Sequence, residues 1–335
     1  MSQEKAPRTI QLGKTGPKVF SLGLGCMAFS GMYGATSEDE GIATIRAAIE
    51  RGVTLLDTGD FYGMGHNEML IRRALEGQGY QRDNLQISVK FGGLRAPDGA
   101  FLAVDMRPVA VKNFAAYSLK RLGVEVIDIY RPSRLDPNVP IEETVGAIAD
   151  LIKQGYVRHV GLSEVGAETI RRAHAVHPVT DLQIEYSLAS RGPEEKIFPV
   201  LRELGISATL YGILSRGLLS GRKPKDASDF RSHLPRFSGD DGAHNEQIVA
   251  RLRAFAEASG RTPSQLAIAW VAAKQPAFVP LVGARTLAQL DDAFGVLDKP
   301  LSVEDVHALE AIVPVGSFRG DRYSAVQMAH LDSER

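Results

Sequence analysis

Asp57, Tyr62 and Lys90 carry side chains that together could move a proton. The carboxylate closes the apolar run Val53-Thr54-Leu55-Leu56-Asp57. The phenol follows in Thr58-Gly59-Asp60-Phe61-Tyr62-Gly63, and the ammonium closes the next run, Leu85-Gln86-Ile87-Ser88-Val89-Lys90. A lone tyrosine holds its proton up to about pH 10, so it donates poorly near neutrality unless a cation such as Lys90 stabilises the phenolate. An unpaired ammonium in a pocket would itself deprotonate, and Asp57 could hold it charged. The competing reading is an ordinary ion pair at the rim of a barrel, with Tyr62 a half-buried aromatic.

The elements that must position these groups alternate along the chain. Apolar, β-branched runs at 19–25, 53–58, 85–91, 126–132, 157–163, 181–186, 206–211 and 277–283 are separated by helical patterns such as 38–51, 109–122, 142–154 and 168–177. Alternation of this kind signals a parallel sheet with crossover helices, and eight units predict a closed (β/α)8 TIM barrel. A doubly wound open sheet reads similarly. Against it, Gly23-Leu24-Gly25-Cys26-Met27-Ala28 has no G-x-G-x-x-G opening a helix, and the candidate residues fall at the C-terminal ends of many strands, as a barrel site requires. Three segments leave the pattern. Thr9–Lys18 reads as a hairpin over the barrel floor. Gly221–Asn245, rich in Gly, Pro, Asp and Lys, reads as a mobile loop over the mouth, and its middle, Lys223–Asp241, equally as a disordered insertion. The third is the tail after Pro314. One domain spanning 1–335 is expected: an N-terminal segment and hairpin (1–18), the barrel (19–313) and a tail (314–335), with long loops on the C-terminal face.

Composition narrows the function classes. A net charge of −1 with short runs of mixed sign gives no footprint for nucleic acid. Met1–Arg8 is polar and no stretch approaches eighteen uninterrupted apolar residues, so a soluble, cytoplasmic protein with no membrane partner is expected. Cys26 is the single cysteine and the eight histidines show no ligand spacing, so neither a disulfide nor a metal is expected.

The stretch Asp57-Thr58-Gly59-Asp60-Phe61-Tyr62-Gly63, followed by Asn67-Glu68 and by Lys90, resembles the aldo-keto reductases. The likeness continues through Leu12-Gly13-Lys14-Thr15-Gly16, Gly161-Leu162-Ser163, Gln183-Ile184-Glu185-Tyr186-Ser187, the segment from Tyr211 to Gly221, and Gly283-Ala284-Arg285-Thr286. It implies an NADP(H)-dependent oxidoreductase that interconverts a small-molecule carbonyl and an alcohol, with Tyr62 as proton donor assisted by Lys90 and Asp57. It assigns the nicotinamide carboxamide to Ser163 and Gln183, the stacking platform to Tyr211, and the run along the pyrophosphate to Gly212, Leu214 and Arg216. Gly25, Cys26, Met27 and Asp57 are placed beside the cofactor. Gly283, Ala284 and Arg285 would grip the adenosine 2′-phosphate, with Gln289 and Asp292 toward the adenine. A guanidinium and backbone N–H groups before a helix suit a phosphate in any case.

The chain departs from that pattern in Ile127-Asp128-Ile129-Tyr130-Arg131-Pro132-Ser133-Arg134-Leu135-Asp136, where Ser133 replaces a catalytic histidine. Serine keeps a hydroxyl but is shorter and does not titrate near neutrality. The space it leaves suits a bulky or cyclic ketone or an aromatic aldehyde, in a pocket walled by Phe29–Tyr33, Gly92–Phe101, Phe318 and Tyr323. Glu164 stands where much of the family has asparagine and is not counted in the site. Two other readings remain: a nucleotide-binding sensor or regulatory barrel with weak catalysis, and a barrel aldolase or isomerase with Lys90 as Schiff base.

Overall fold

Strands buried on both faces need helices on the outside and side chains inside, and the chain supplies both. The computed structural model describes residues 9–31, 37–224 and 229–335. Its first strands, β1 (Thr9–Gln11) and β2 (Lys18–Phe20), form an antiparallel hairpin with Ile10 opposite Val19. Eight parallel strands follow: β3 (Gly23–Gly25), β4 (Leu55–Gly59), β5 (Gln86–Phe91), β8 (Ile127–Pro132), β9 (Val157–Ser163), β10 (Val179–Glu185), β11 (Ser207–Tyr211) and β12 (Val279–Val282). They pair in that order and close through Leu281 beside Gly23, giving a (β/α)8 TIM barrel. An antiparallel excursion, β6 (Gly93–Arg95) with β7 (Phe101–Val104), leaves the C-terminal end of β5.

Helices at Glu38–Glu50, His66–Leu75, Pro108–Leu122, Ile141–Lys153, Ala167–Val176, Pro193–Leu204, Pro263–Lys274 and Leu287–Phe294 cover the strands. Their starts follow local chemistry: Ser37 accepts from the Glu40 N–H, and Thr262 with Gln265 makes a capping box. Buried Ile45, Ile71, Val111, Val145 and Ile170 seat these helices on the barrel, each contributing roughly 1.5–3 kcal/mol of burial.

Inside the barrel the side chains are layered. Leu12 and Val19 of the hairpin plug the floor against Leu55, Ile129, Val279 and Leu281. One inward position further along the strands, Asp57 and Arg131 follow Leu55 and Ile129, and the interior becomes polar.

Two expectations are corrected. The run 19–25 does not form one strand: Phe20 belongs to the hairpin and only Gly23–Gly25 joins the barrel. A Cβ at Gly23 would lie 2.6 Å from Leu281 Cδ2, so the closing contact between β3 and β12 needs glycine there. Of the segment 221–245, the part from Asp229 to Asn245 is also more ordered than its composition suggested. Short turns at Phe230–His233 and Pro235–Phe237 lead into a helix, Gly239–Ala258, opened by Asp240 and Asp241 and anchored by buried Asn245. Residues 225–228 of that segment, and Met32 and Tyr33 of the expected pocket wall, lie outside the described residues.

Candidate active site

β4 and β5 pair in register, so Asp57 lies opposite Ser88, with Lys90 one inward position beyond. Lys90 Nζ donates to Asp57 Oδ1 at 2.5 Å. The other carboxylate oxygen accepts from the Ser88 hydroxyl at 3.1 Å and from Gln183 Nε2 at 2.8 Å. Both ions are buried. Burial pushes the Lys90 ammonium below its ordinary range, Asp57 opposes that shift, and Arg131 adds to it.

Tyr62 opens the tight turn that leaves β4, and the Lys90 Nζ lies 5.1 Å from its ring centroid. Tyr62 is 9% exposed. Phe61 packs edge-on against it at 5.0 Å. The turn is held by Asn67, which accepts from the Thr58 hydroxyl at 2.7 Å and donates to the Cys26 carbonyl at 2.8 Å. Beside it, burial and then the Glu68 charge push the Asp60 carboxyl up to about 7.

Backbone strain gathers around the same mouth. Among the described residues the non-glycine positions with positive φ are Met64, Glu164, Ser215 and Arg216, and each follows a barrel strand. Such conformations cost of order 1–3 kcal/mol each and cluster at functional sites. Gly212 shares this geometry with φ +66, and a Cβ there would meet Glu185 Cγ at 2.9 Å.

The structure brings most of the expected cofactor residues to this rim. Gly25 closes β3 and Cys26 and Met27 follow it; the Cys26 thiol is buried and donates to the Leu24 carbonyl, and the Cys26 carbonyl accepts from Asn67. Ser163 ends β9, buried, and Tyr211 ends β11 with its hydroxyl donating to Glu164 Oε1 at 2.7 Å. Gly212, Leu214 and Arg216 continue from β11, with Arg216 pairing Glu185 at 3.2 Å and lying over the Tyr323 ring. Gly283, Ala284 and Arg285 lead into the helix Leu287–Phe294, whose first turn is capped by Thr286. Burial lowers the Arg285 pKa, Arg222 and Arg231 lower it further, and Glu40 and Asp229 oppose the shift; Arg231 is itself paired with Asp229 at 2.6 Å. Gln289 accepts from the Arg285 N–H at 2.9 Å and so fixes the segment. Two expected residues are engaged elsewhere: Gln183 holds Asp57, and Asp292 accepts from Thr262 of the neighbouring helix at 2.7 Å. Ser133 is buried after β8, its N–H bonded to the Phe91 carbonyl, and its hydroxyl makes no hydrogen bond among the described residues.

The site contains groups the sequence reading missed. Arg322 of the tail reaches back to Glu164 with two donors, one at 2.9 Å and one at 2.5 Å, and also contacts Glu185 and the Tyr211 hydroxyl. Burial alone would raise the Glu164 carboxyl, but the Arg322 charge and hydrogen bonds hold it at about 2. Arg236 adds a third cation near Glu185 at 3.7 Å. The tail thus buttresses Tyr211 from behind through Glu164, Arg322 and Tyr323. The one hint in the sequence was Glu164 itself, a carboxylate in a buried strand-end position that demands a cation.

A closed eight-stranded parallel barrel whose polar and strained groups collect at the C-terminal strand ends defines an enzyme-type (β/α)8 site. The sequence pattern of the Aldo/keto reductase family matches residues 21–314. The chain is 40% identical over 320 residues to the probable aldo-keto reductase 1 of Glycine max, covering 94% of this chain and 91% of that protein. Among solved structures, a glycerol dehydrogenase from Gluconobacter oxydans superposes with a TM-score of 0.82 at 27% identity, covering 91% of this chain and 94% of that one. The holo form of an aldo-keto reductase from Bacillus halodurans gives a TM-score of 0.76 at 26% identity, with 92% and 97% covered. The chain belongs to the aldo-keto reductase family, and its chemistry is carbonyl–alcohol oxidoreduction.

Proposed function

We propose that this chain is an NADPH-dependent oxidoreductase interconverting an aldehyde or ketone and its alcohol, with Tyr62 as the proton donor and acceptor. The observation that carries the reading is the buried chain from Tyr62 to Lys90 to Asp57 at the ends of β4 and β5. The nicotinamide, when bound, supplies the hydride. Tyr62 gives its proton to the alkoxide oxygen that develops, Lys90 stabilises the phenolate left behind, and Asp57 keeps Lys90 paired and charged. Gln183 and Ser88 hold Asp57 from the far side. Ser163 and the Tyr211 ring line the rim where the nicotinamide would lie. Arg285, at the start of the Thr286-capped helix Leu287–Phe294, supports a 2′-phosphate and hence NADPH over NADH.

The substrate proposed is a small carbonyl compound or alcohol, handled by the barrel as one catalytic unit. No helix among the described residues is long and apolar enough to cross a membrane; the location proposed is the cytoplasm. The test is a panel of aldehydes, ketones, alcohols, polyols and sugars assayed with both nicotinamide cofactors at 340 nm. Turnover faster with NADPH than with NADH supports the proposal. Tight NADPH binding without turnover of any member would point to a sensor instead.

A further inference from the structure

Arg131 and Asp181 meet inside the barrel, fully buried, with a nitrogen of one 3.1 Å from an oxygen of the other. A charge pair in such a place is costly and often less stable than an apolar pair of the same volume, so its presence calls for a reason. The fold makes room for it. Gly161 of β9 lies between the two strands, and a Cβ there would come 2.9 Å from Ile129 Cγ2, 3.1 Å from Asp181 Oδ1 and 3.2 Å from Arg131 Cβ. Glycine inside a strand costs backbone entropy and marks a close approach.

The hydrogen bonds from the pair lead to the proton donor. Arg131 Nη2 donates to the Ser88 hydroxyl oxygen at 2.8 Å and to Asp181 at 3.2 Å, and its Nη1 donates to Thr209 Oγ1 at 3.1 Å. A guanidinium has no acceptor, so Ser88 must accept from it, and its single proton is free only for Asp57 Oδ2. By the same count Thr209 passes its proton to Asp181 at 2.8 Å. Asp57 Oδ2 is then saturated by Ser88 and Gln183, which leaves Oδ1 for Lys90 alone. Asp57, Lys90, Arg131 and Asp181 together form a neutral quartet in a low-dielectric interior. The groups facing Lys90 are Asp57 from β4, Cys26 after β3, Arg131 from β8 and the Tyr62 ring.

We propose that Arg131 and Asp181 are positioning residues for the reaction: through Ser88 they fix the orientation of Asp57, and so the place and charge of the Lys90 ammonium beside Tyr62. This rests on Tyr62 acting as the proton donor. None of the three residues touches the reacting atoms.

Ser88→Ala tests the link, because it cuts the hydrogen-bonded bridge between Arg131 and Asp57 and leaves every charge in place. The expected result is a fall in kcat of about tenfold, the scale of one hydrogen bond to a charged group. The NADPH dissociation constant should not change, and Ser88→Thr should restore kcat. Arg131→Met combined with Asp181→Leu removes the pair without leaving a buried ion alone. With the Arg131 cation gone the Lys90 ammonium is held more strongly. Its titration, followed by 13C NMR of the lysine ε-carbon, and the alkaline limb of kcat should therefore move together to higher pH. A kcat and pH profile in Ser88→Ala equal to those of the unmodified enzyme would overturn the proposal, as would a Lys90 titration unmoved in a folded double variant. If the unmodified protein reduces no carbonyl, the functional reading fails, while the Lys90 titration still decides whether this network acts on the ammonium.

Discussion

At Tyr62 the chemistry and the packing separate cleanly. Tyr62→Phe keeps the ring against Phe61 and over Lys90 but deletes the acidic proton, so the rate of reduction should fall by about 10² to 10⁴ with the NADPH dissociation constant unchanged. Less than a tenfold loss in kcat would remove Tyr62 from the role. Ser133 should behave oppositely. Its hydroxyl has no hydrogen-bond partner among the described residues, so Ser133→Ala is expected to change kcat by less than about tenfold, within one modest hydrogen bond of 0.5–1.5 kcal/mol. A hundredfold drop in a folded variant would make Ser133 a catalytic residue. Arg285→Ala should erase most of a preference for NADPH over NADH, measured as the ratio of dissociation constants, by roughly ten- to a hundredfold. Asp57 and Lys90 were legible in the sequence because each closes an apolar run, and Tyr62 because it follows Asp57 in a stretch that resembles the aldo-keto reductases. Arg131 and Asp181 were not: each also lies in such a run, and only the register of β8, β9 and β10 brings them together.

The strands were the easiest elements to read, since a run buried on both faces looks the same in any barrel. The elements missed were those without periodicity. β6 and β7 are too short for an alternation to register, and the helix at Gly239–Ala258 begins within a stretch of Gly and Asp that reads as loop. The tail was hardest, because its anchor is a single arginine meeting partners on three other elements. That anchor makes a pH prediction. Glu164 has its pKa lowered in the folded chain, from an ordinary 4.5 to about 2. A depressed carboxylate stabilises the fold above its unfolded pKa and loses that contribution as pH falls through its folded one. Unfolding by urea, repeated from pH 6 down to pH 2, should therefore show a loss of stability beginning near pH 4.5 that continues toward 2. For this group the loss is on the order of 3 kcal/mol. Glu164→Gln should start less stable at pH 6 and lack this part of the acid decline. Parallel curves for the two proteins would show that the Arg322 pair contributes nothing.

Across the whole molecule the barrel is a ring of neighbours. Each strand pairs with the next one or with one reached after a single excursion, and β12 beside β3, with Leu281 opposite Gly23 and Val282 opposite Leu24, closes the circle. The fold class was legible at this scale because those contacts are nearly all between adjacent units, each with its own apolar signature. The latch at the mouth is different in kind, since Arg322 and Glu164 are separated by 158 positions along the chain. Arg322 is led there by Asn245 and Arg236, which hold Arg319 and Gly320, and those contacts need the helix Gly239–Ala258 and the barrel already in place. The order of assembly follows. The helices and strands are expected to regain their circular dichroism first, with the buttress behind Tyr211 set afterwards, when the tail meets Glu164. A refolding experiment that follows ellipticity and NADPH fluorescence together should therefore show cofactor capture trailing the return of secondary structure. In Arg322→Ala that lag should change while the early phase keeps its rate.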